Sequence, residues 1–357
     1  ATGKNPGKHG LVDFVFPIPG SYLVGVANQT SRRAPAFWNI LSEQGKRVGL
    51  VGVPLTYPPE PVNGFMISCF LAPSTRSEYT YPPQLRVELE EKLGGFQLAP
   101  DERYRSGRYA DRFLADMRAS VQKRLEATLY LMAHKEWDFF GVVFWSPDMV
   151  QHETWHLLDA THPRYDPQAA ARYREAIMDY WRELDRAVGK ILEAAGEGVL
   201  KVVLSDHGFG PAYNFFLVNN WLREAGFLVL KQTPATRTKE LFFRAGFTPL
   251  NAFRWAKALG LGRLRRKVRF QQMAKLMKRL FLSFYDVDWA RTRAFAVGSF
   301  GEIYINTQGI WPQGTVAPGR EYAALREELI REALALRNPQ NGEPIIERVL
   351  RREEIYS

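Results

Sequence analysis

Two pairs of side chains in this sequence have the types and spacing for metal-assisted chemistry. Asp148 and His152 are four residues apart, so on a helix they share one face, while Asp206 and His207 are adjacent at the end of an apolar run. Carboxylate oxygens and imidazole nitrogens delivered together make a mixed donor set suited to zinc, and with less selectivity to manganese or iron. Four such ligands are too few for two fully occupied ions but more than a single catalytic ion usually takes. A second pattern overlaps the first: His152-Glu153-Thr154-Trp155-His156 is a literal His-Glu-x-x-His, with Glu175 or Glu183 available as a third ligand. On that alternative Glu153 is the general base of a zinc metalloprotease, but Asp148 and the Asp206-His207 pair are left without a role.

The elements that must position these residues are legible around them. Val199 to Leu204 is an unbroken apolar run apart from Lys201, and it reads as a strand buried on both faces that ends on Ser205-Asp206-His207-Gly208-Phe209-Gly210. Gly208 and Gly210 would permit the chain to turn there. Trp137 to Trp145 reads as a second buried strand, followed by Ser146-Pro147, which opens a helix past His152 and His156 that ends before Pro163. Asp166 to Ala195 has helical periodicity, so Trp137 to Asp206 spells strand, helix, strand, the pattern of a right-handed parallel crossover. Both acid–imidazole pairs would then stand at carboxyl ends of strands, where open α/β sheets put their ligands.

Upstream, Ala36 to Gln44 reads as a helix feeding a strand over Arg47 to Val53. Thr56 to Pro100 reads as an irregular excursion because of its proline and glycine content. Ser120 to Lys135 reads as a helix. Downstream, Phe215 to Glu224 reads as a helix, Phe227 to Leu230 as a short strand, Ala294 to Val297 and Glu302 to Asn306 as a strand pair, and Arg320 to Leu336 as a closing helix. The expected division is an α/β core over 1–230 and 290–357 with a helical basic insertion or cap over 231–289.

The 357 residues can bury a large core, and 46% hydrophobic with 24% charged residues excludes a disordered or fibrous class. No run approaches the roughly 18 to 20 apolar residues of a membrane span. The lone cysteine, Cys69, permits no intrachain disulfide and is compatible with a reducing compartment. The net charge of +10 suits anionic ligands. It is concentrated between Asn251 and Leu280, which hold Arg254, Lys257, Arg263, Arg265, Arg266, Lys267, Arg269, Lys275, Lys278 and Arg279 and no acid. A third, non-enzymatic reading therefore makes the chain a binding module that uses Arg263 to Arg269 with Trp255 and Phe270 on a nucleic acid or a membrane surface.

Four motifs in order carry a family resemblance. They are Thr2-Gly3 with Pro6 and His9-Gly10, Pro147-Asp148 with His152, Leu184-Asp185 with Val188-Gly189, and Ser205-Asp206-His207-Gly208. The chain resembles the type I phosphodiesterase and nucleotide pyrophosphatase family of the alkaline phosphatase superfamily. The resemblance implies a doubly wound, mostly parallel α/β sheet covered by helices. It also implies a hydrolase of small anionic phosphate esters that requires no nucleic acid, two divalent metal ions (usually zinc), and a threonine or serine nucleophile. By the same resemblance Asp148 and His152 would hold one ion and Asp206 and His207 the other. The nucleophile and a first aspartate ligand are expected upstream of Ala1 and a last histidine ligand downstream, since no histidine follows His207; the 357 residues alone are expected to be inactive. Phe14 stands where the nucleotide pyrophosphatases place a phosphate-contacting asparagine, and Gln151 where a glycine commonly precedes the metal-binding histidine, so only the metal ligands carry over. His9 is expected to order its loop rather than to ligate.

Overall fold

The computed structural model describes residues 1–99, 110–249, 251–252, 255 and 276–356. The chain forms two compact units: one of residues 1–12, 27–215 and 356–357, the other of 13–26 and 216–355.

The first unit is built on a four-stranded sheet of β3 (Val48–Val51), β4 (Gly64–Ile67), β5 (Thr80–Tyr81) and β6 (Phe139–Val142), in the order β5-β4-β3-β6. β3 runs parallel to both neighbours and β5 is antiparallel to β4. Every residue of β3 is buried, as expected of a central strand with Val, Leu and Val in close succession and helices over both faces. Gly49 is small for a reason: a Cβ there would strike the Phe65 ring. Helices α1 (Pro6–His9), α2 (Phe37–Glu43), α3 (Gln84–Leu93), α4 (Ala110–His134), α5 (Ser146–Leu158) and α6 (Pro167–Ala194) belong to the same unit. α5 and α6 share a core with α4 in which Val150, Ile177 and Tyr180 have no exposed surface. This mixed sheet with a parallel core under helices is the α/β architecture expected from the sequence, and it fits an alkaline-phosphatase-like fold.

Two local expectations are corrected. Thr56 to Pro100 is not an irregular excursion, for it contains β4, β5 and α3. Val199 to Leu204 is not a buried strand: among the described residues it pairs with no other strand, and Leu200 is 89% and Leu204 78% exposed. An unbroken apolar run reports a wish to be buried, but burial on both faces needs neighbours that the described sheet does not supply, since β6 is its edge.

The second unit contains the hairpins β1 (Val15–Pro17) with β2 (Val24–Val26) and β7 (Ala294–Ala296) with β8 (Ile303–Ile305), and helices α7 (Val218–Glu224), α8 (Pro234–Arg244) and α9 (Arg320–Leu334). Its core centres on aromatic rings, with Tyr22 stacked on Trp289 at 3.7 Å and Phe295 edge-on to both. α7 starts three residues later than the apolar pattern suggests, and Phe227 to Leu230 contributes only a bridge between Leu230 and Val287. Of the basic cluster, Lys278 and Arg279 are described; Arg254, Lys257, Arg263, Arg265, Arg266, Lys267, Arg269 and Lys275, like Phe270, lie outside the described residues.

Candidate functional site

β6 ends at Val142 and the chain enters α5 four residues on, with Pro147 in its first turn. The helix start is tied down from behind, because the buried Tyr180 hydroxyl donates to Ser146 Oγ at 2.8 Å. Asp148 therefore falls in the first turn of α5, where the unpaired N–H groups of the helix favour an anion. One turn later His152 projects from the same face, and its Nε2 lies 3.4 Å from Asp148 Oδ1.

The second pair arrives from the loop. His207 Nε2 is 3.9 Å from the same Asp148 Oδ1 and 3.9 Å from Asp206 Oδ2. Thus His152 and His207 both approach the Asp148 carboxylate, just past the carboxyl end of β6, and Asp206 lies beside His207. His207 Nδ1 lies 2.8 Å from the Gly208 carbonyl and donates there, so Nε2 is the ring nitrogen on the Asp148 side. That hydrogen bond, with the Asp206 and Asp148 carboxylates, holds the His207 imidazole above the ordinary histidine pKa. The turn is made without positive φ at Gly208 or Gly210.

What fixes this loop beside α5 was not visible in the motifs. Among the described residues, the backbone from Val199 to Phe215 makes no hydrogen bond to other backbone, and Phe209 is the one residue of 201–215 that is not exposed. The Phe209 ring packs edge-on to His152 at 4.8 Å between centroids and against Trp155 at 5.4 Å. Further along, Tyr213 lies 5.7 Å from the His162 ring, with its hydroxyl 3.2 Å from Thr161 Oγ1. The only signal for Phe209 in the sequence is its place two residues after His207.

The donor chemistry fits a divalent cation. An oxygen and a nitrogen 3.4 Å apart match the roughly 3.4 Å edge of a tetrahedron of donors about 2.0–2.1 Å from zinc. Each pair supplies two donors, and among the described residues no group of three or more His, Cys, Asp or Glu is arranged to hold one ion. The His-Glu-x-x-His alternative finds no third ligand in its two candidates: Glu183 is bonded to Arg118 and Gln122, and Glu175 to Arg182. His156 packs beside His162, 6.1 Å between rings, and burial lowers its pKa, while Glu153 faces solvent. His9 Nδ1 accepts from Leu11 N at 3.2 Å within its own loop.

The mixed sheet with a parallel core under helices is an α/β architecture, with Asp148 and His152 on the helix that follows the carboxyl end of β6 and His207 beside them. The sequence profile described as type I phosphodiesterase / nucleotide pyrophosphatase matches residues 1–356, and the chain belongs to that family. It is accordingly a phosphoric ester hydrolase of the phosphodiesterase/nucleotide pyrophosphatase type, from a family generally dependent on divalent metals and acting on small phosphate esters. No curated protein and no solved structure matches the chain. Among the described residues no helix is long and apolar enough to cross a membrane.

Proposed function

We propose that the chain hydrolyses a small anionic phosphate diester or pyrophosphate with two divalent metal ions, zinc foremost, and a threonine or serine hydroxyl as nucleophile. Asp148 and His152 hold one ion; Asp206 and His207 hold the other. The observation that carries this reading is the convergence of two imidazole nitrogens on Asp148 Oδ1, 3.4 and 3.9 Å away, from residues 55 positions apart in sequence. Bound cations would neutralise charge on the phosphorus oxygens. The chain's own part is to bind and orient. Asp148 is anchored through the Ser146–Tyr180 hydrogen bond, His207 is turned by Gly208, and Phe209 shields one side of His152 from water.

The test is Asp206→Ala in the full-length protein, followed by metal analysis and turnover of a chromogenic phosphodiester. Loss of about one metal equivalent together with a fall in kcat/KM of at least ~100-fold is expected. Unchanged metal content and turnover would eliminate the assignment.

A further inference from the structure

We propose that Tyr213 is a positioning residue for the reaction: it pins the far end of the loop that carries Asp206 and His207 to the turn after α5, and so sets how firmly that pair is held beside Asp148 and His152. This rests on the ligand assignment proposed above. Among the described residues, the backbone from Val199 to Phe215 bonds no other backbone, so side chains must hold the loop in place. Phe209 does so on α5, through His152 and Trp155, and Tyr213 does so on the turn beyond it, through Thr161 and His162.

That turn is braced before the loop reaches it. Asp159 caps α5, and its Oδ1 accepts from the Thr161 hydroxyl at 2.6 Å and the Thr161 amide at 2.9 Å. These two bonds hold the Asp159 carboxyl below its ordinary pKa, so it is an acceptor and the single hydroxyl proton of Thr161 goes to it. The Tyr213 hydroxyl, 3.2 Å from Thr161 Oγ1, is therefore the donor of their hydrogen bond. His162 is only 7% exposed; its amide bonds the Asp159 carbonyl, its carbonyl takes the Tyr165 amide, and its Nδ1 accepts from the Arg164 amide at 3.1 Å. An imidazole fixed in this way gives the Tyr213 ring, 5.7 Å away, a support that belongs to the helix side and not to the loop.

Tyr213 is 49% exposed and belongs to none of the buried clusters, so it adds little to the core. What it adds is a tether. Phe209 fastens the loop two residues past His207 and Tyr213 fastens it four residues further on. With both anchors on α5 or on its closing turn, the element that carries Asp148 and His152 also sets the place of Asp206 and His207.

The experiment compares full-length Tyr213→Phe, Thr161→Val and the double variant with the parent, and carries Asp206→Ala as a control. Tyr213→Phe keeps the ring and loses the hydroxyl. Freed of metal, it should be cut by trypsin after Lys201 about 2- to 13-fold faster than the parent, the factor that one hydrogen bond of ordinary net strength gives. It should need more zinc, by a similar factor, for half-maximal turnover of the chromogenic diester, and regain the parent's kcat once zinc saturates, because bound metal redocks the loop. The double variant should fare no worse than Thr161→Val alone. A residue that only supported packing would lower the melting temperature and leave the zinc requirement where it was. Cleavage and zinc requirement equal to the parent's, or effects of the two single changes that simply add, would overturn the proposal. Metal retained by Asp206→Ala would instead defeat the ligand assignment, while cleavage of the metal-free variants still decides whether Tyr213 holds the loop.

Discussion

Replacing Phe209 with alanine tests how the histidine-bearing loop is held. Because, among the described residues, 199–215 make no backbone hydrogen bond to other backbone, side-chain contacts hold this loop, and those of Phe209 with His152 and Trp155 lie two residues from His207. Each aromatic contact is worth about 0.5–1.5 kcal/mol beyond area burial, so losing both removes about 1–3 kcal/mol of docking free energy. The ratio of docked to undocked loop then falls by roughly 5- to 150-fold. Zinc affinity measured by calorimetry should fall by a similar factor, and tryptic cleavage after Lys201 should quicken. Global stability should not follow, because Phe209 belongs to none of the buried clusters. Phe209→Ala with unchanged zinc affinity and unchanged cleavage would refute the reasoning, as would a loss of melting temperature as large as that of a core substitution.

Two further substitutions probe the framework. Glu302 Oε2 is buried without a hydrogen-bond partner, and burial, reinforced by the Asp13 carboxylate, raises the Glu302 pKa. The folded state thus binds this proton more tightly than the unfolded chain does, so the penalty is fully present above the raised pKa and fades as pH falls towards the ordinary glutamate value. Glu302→Gln should therefore raise the melting temperature at pH 7, with a gain that shrinks on acidification; an equal effect at both ends of the titration would contradict this. Gly64 opens β4 at φ +141°, where an added Cβ would strike the Val48 carbonyl, so Gly64→Ala should cost about 3 kcal/mol or more in denaturant unfolding. A near-neutral midpoint would show that the β3–β4 register can shift to admit the methyl.

The sequence exposes the site more readily than its surroundings. β3, β6, α5 and α6 follow from apolar runs and helical periodicity, and the four-residue spacing of Asp148 and His152 translates into adjacent donors on one helix face. β4, β5 and α3 are hidden because each is short and set among prolines: Gly64–Ile67 begins three residues after Pro61, and Thr80–Tyr81 is followed by Pro82. The error at Val199 to Leu204 has another origin. Hydrophobicity records what a segment would gain by burial, whereas strand formation depends on a partner backbone that no window of the sequence contains. Phe209 escapes notice because a lone aromatic has no period; only its partners reveal its use.

The run from Val199 to Leu204 has one more consequence. Among the described residues its amides and carbonyls bond no other backbone, Leu200, Val202, Val203 and Leu204 face water, and Lys201 is its only charge. Such a segment can recruit any extended chain that comes alongside, including its own counterpart in another molecule, so Lys201 serves as the lone gatekeeper against cross-β stacking. The run leads directly into Asp206 and His207, so a substitution that makes it more soluble also alters the segment that carries them.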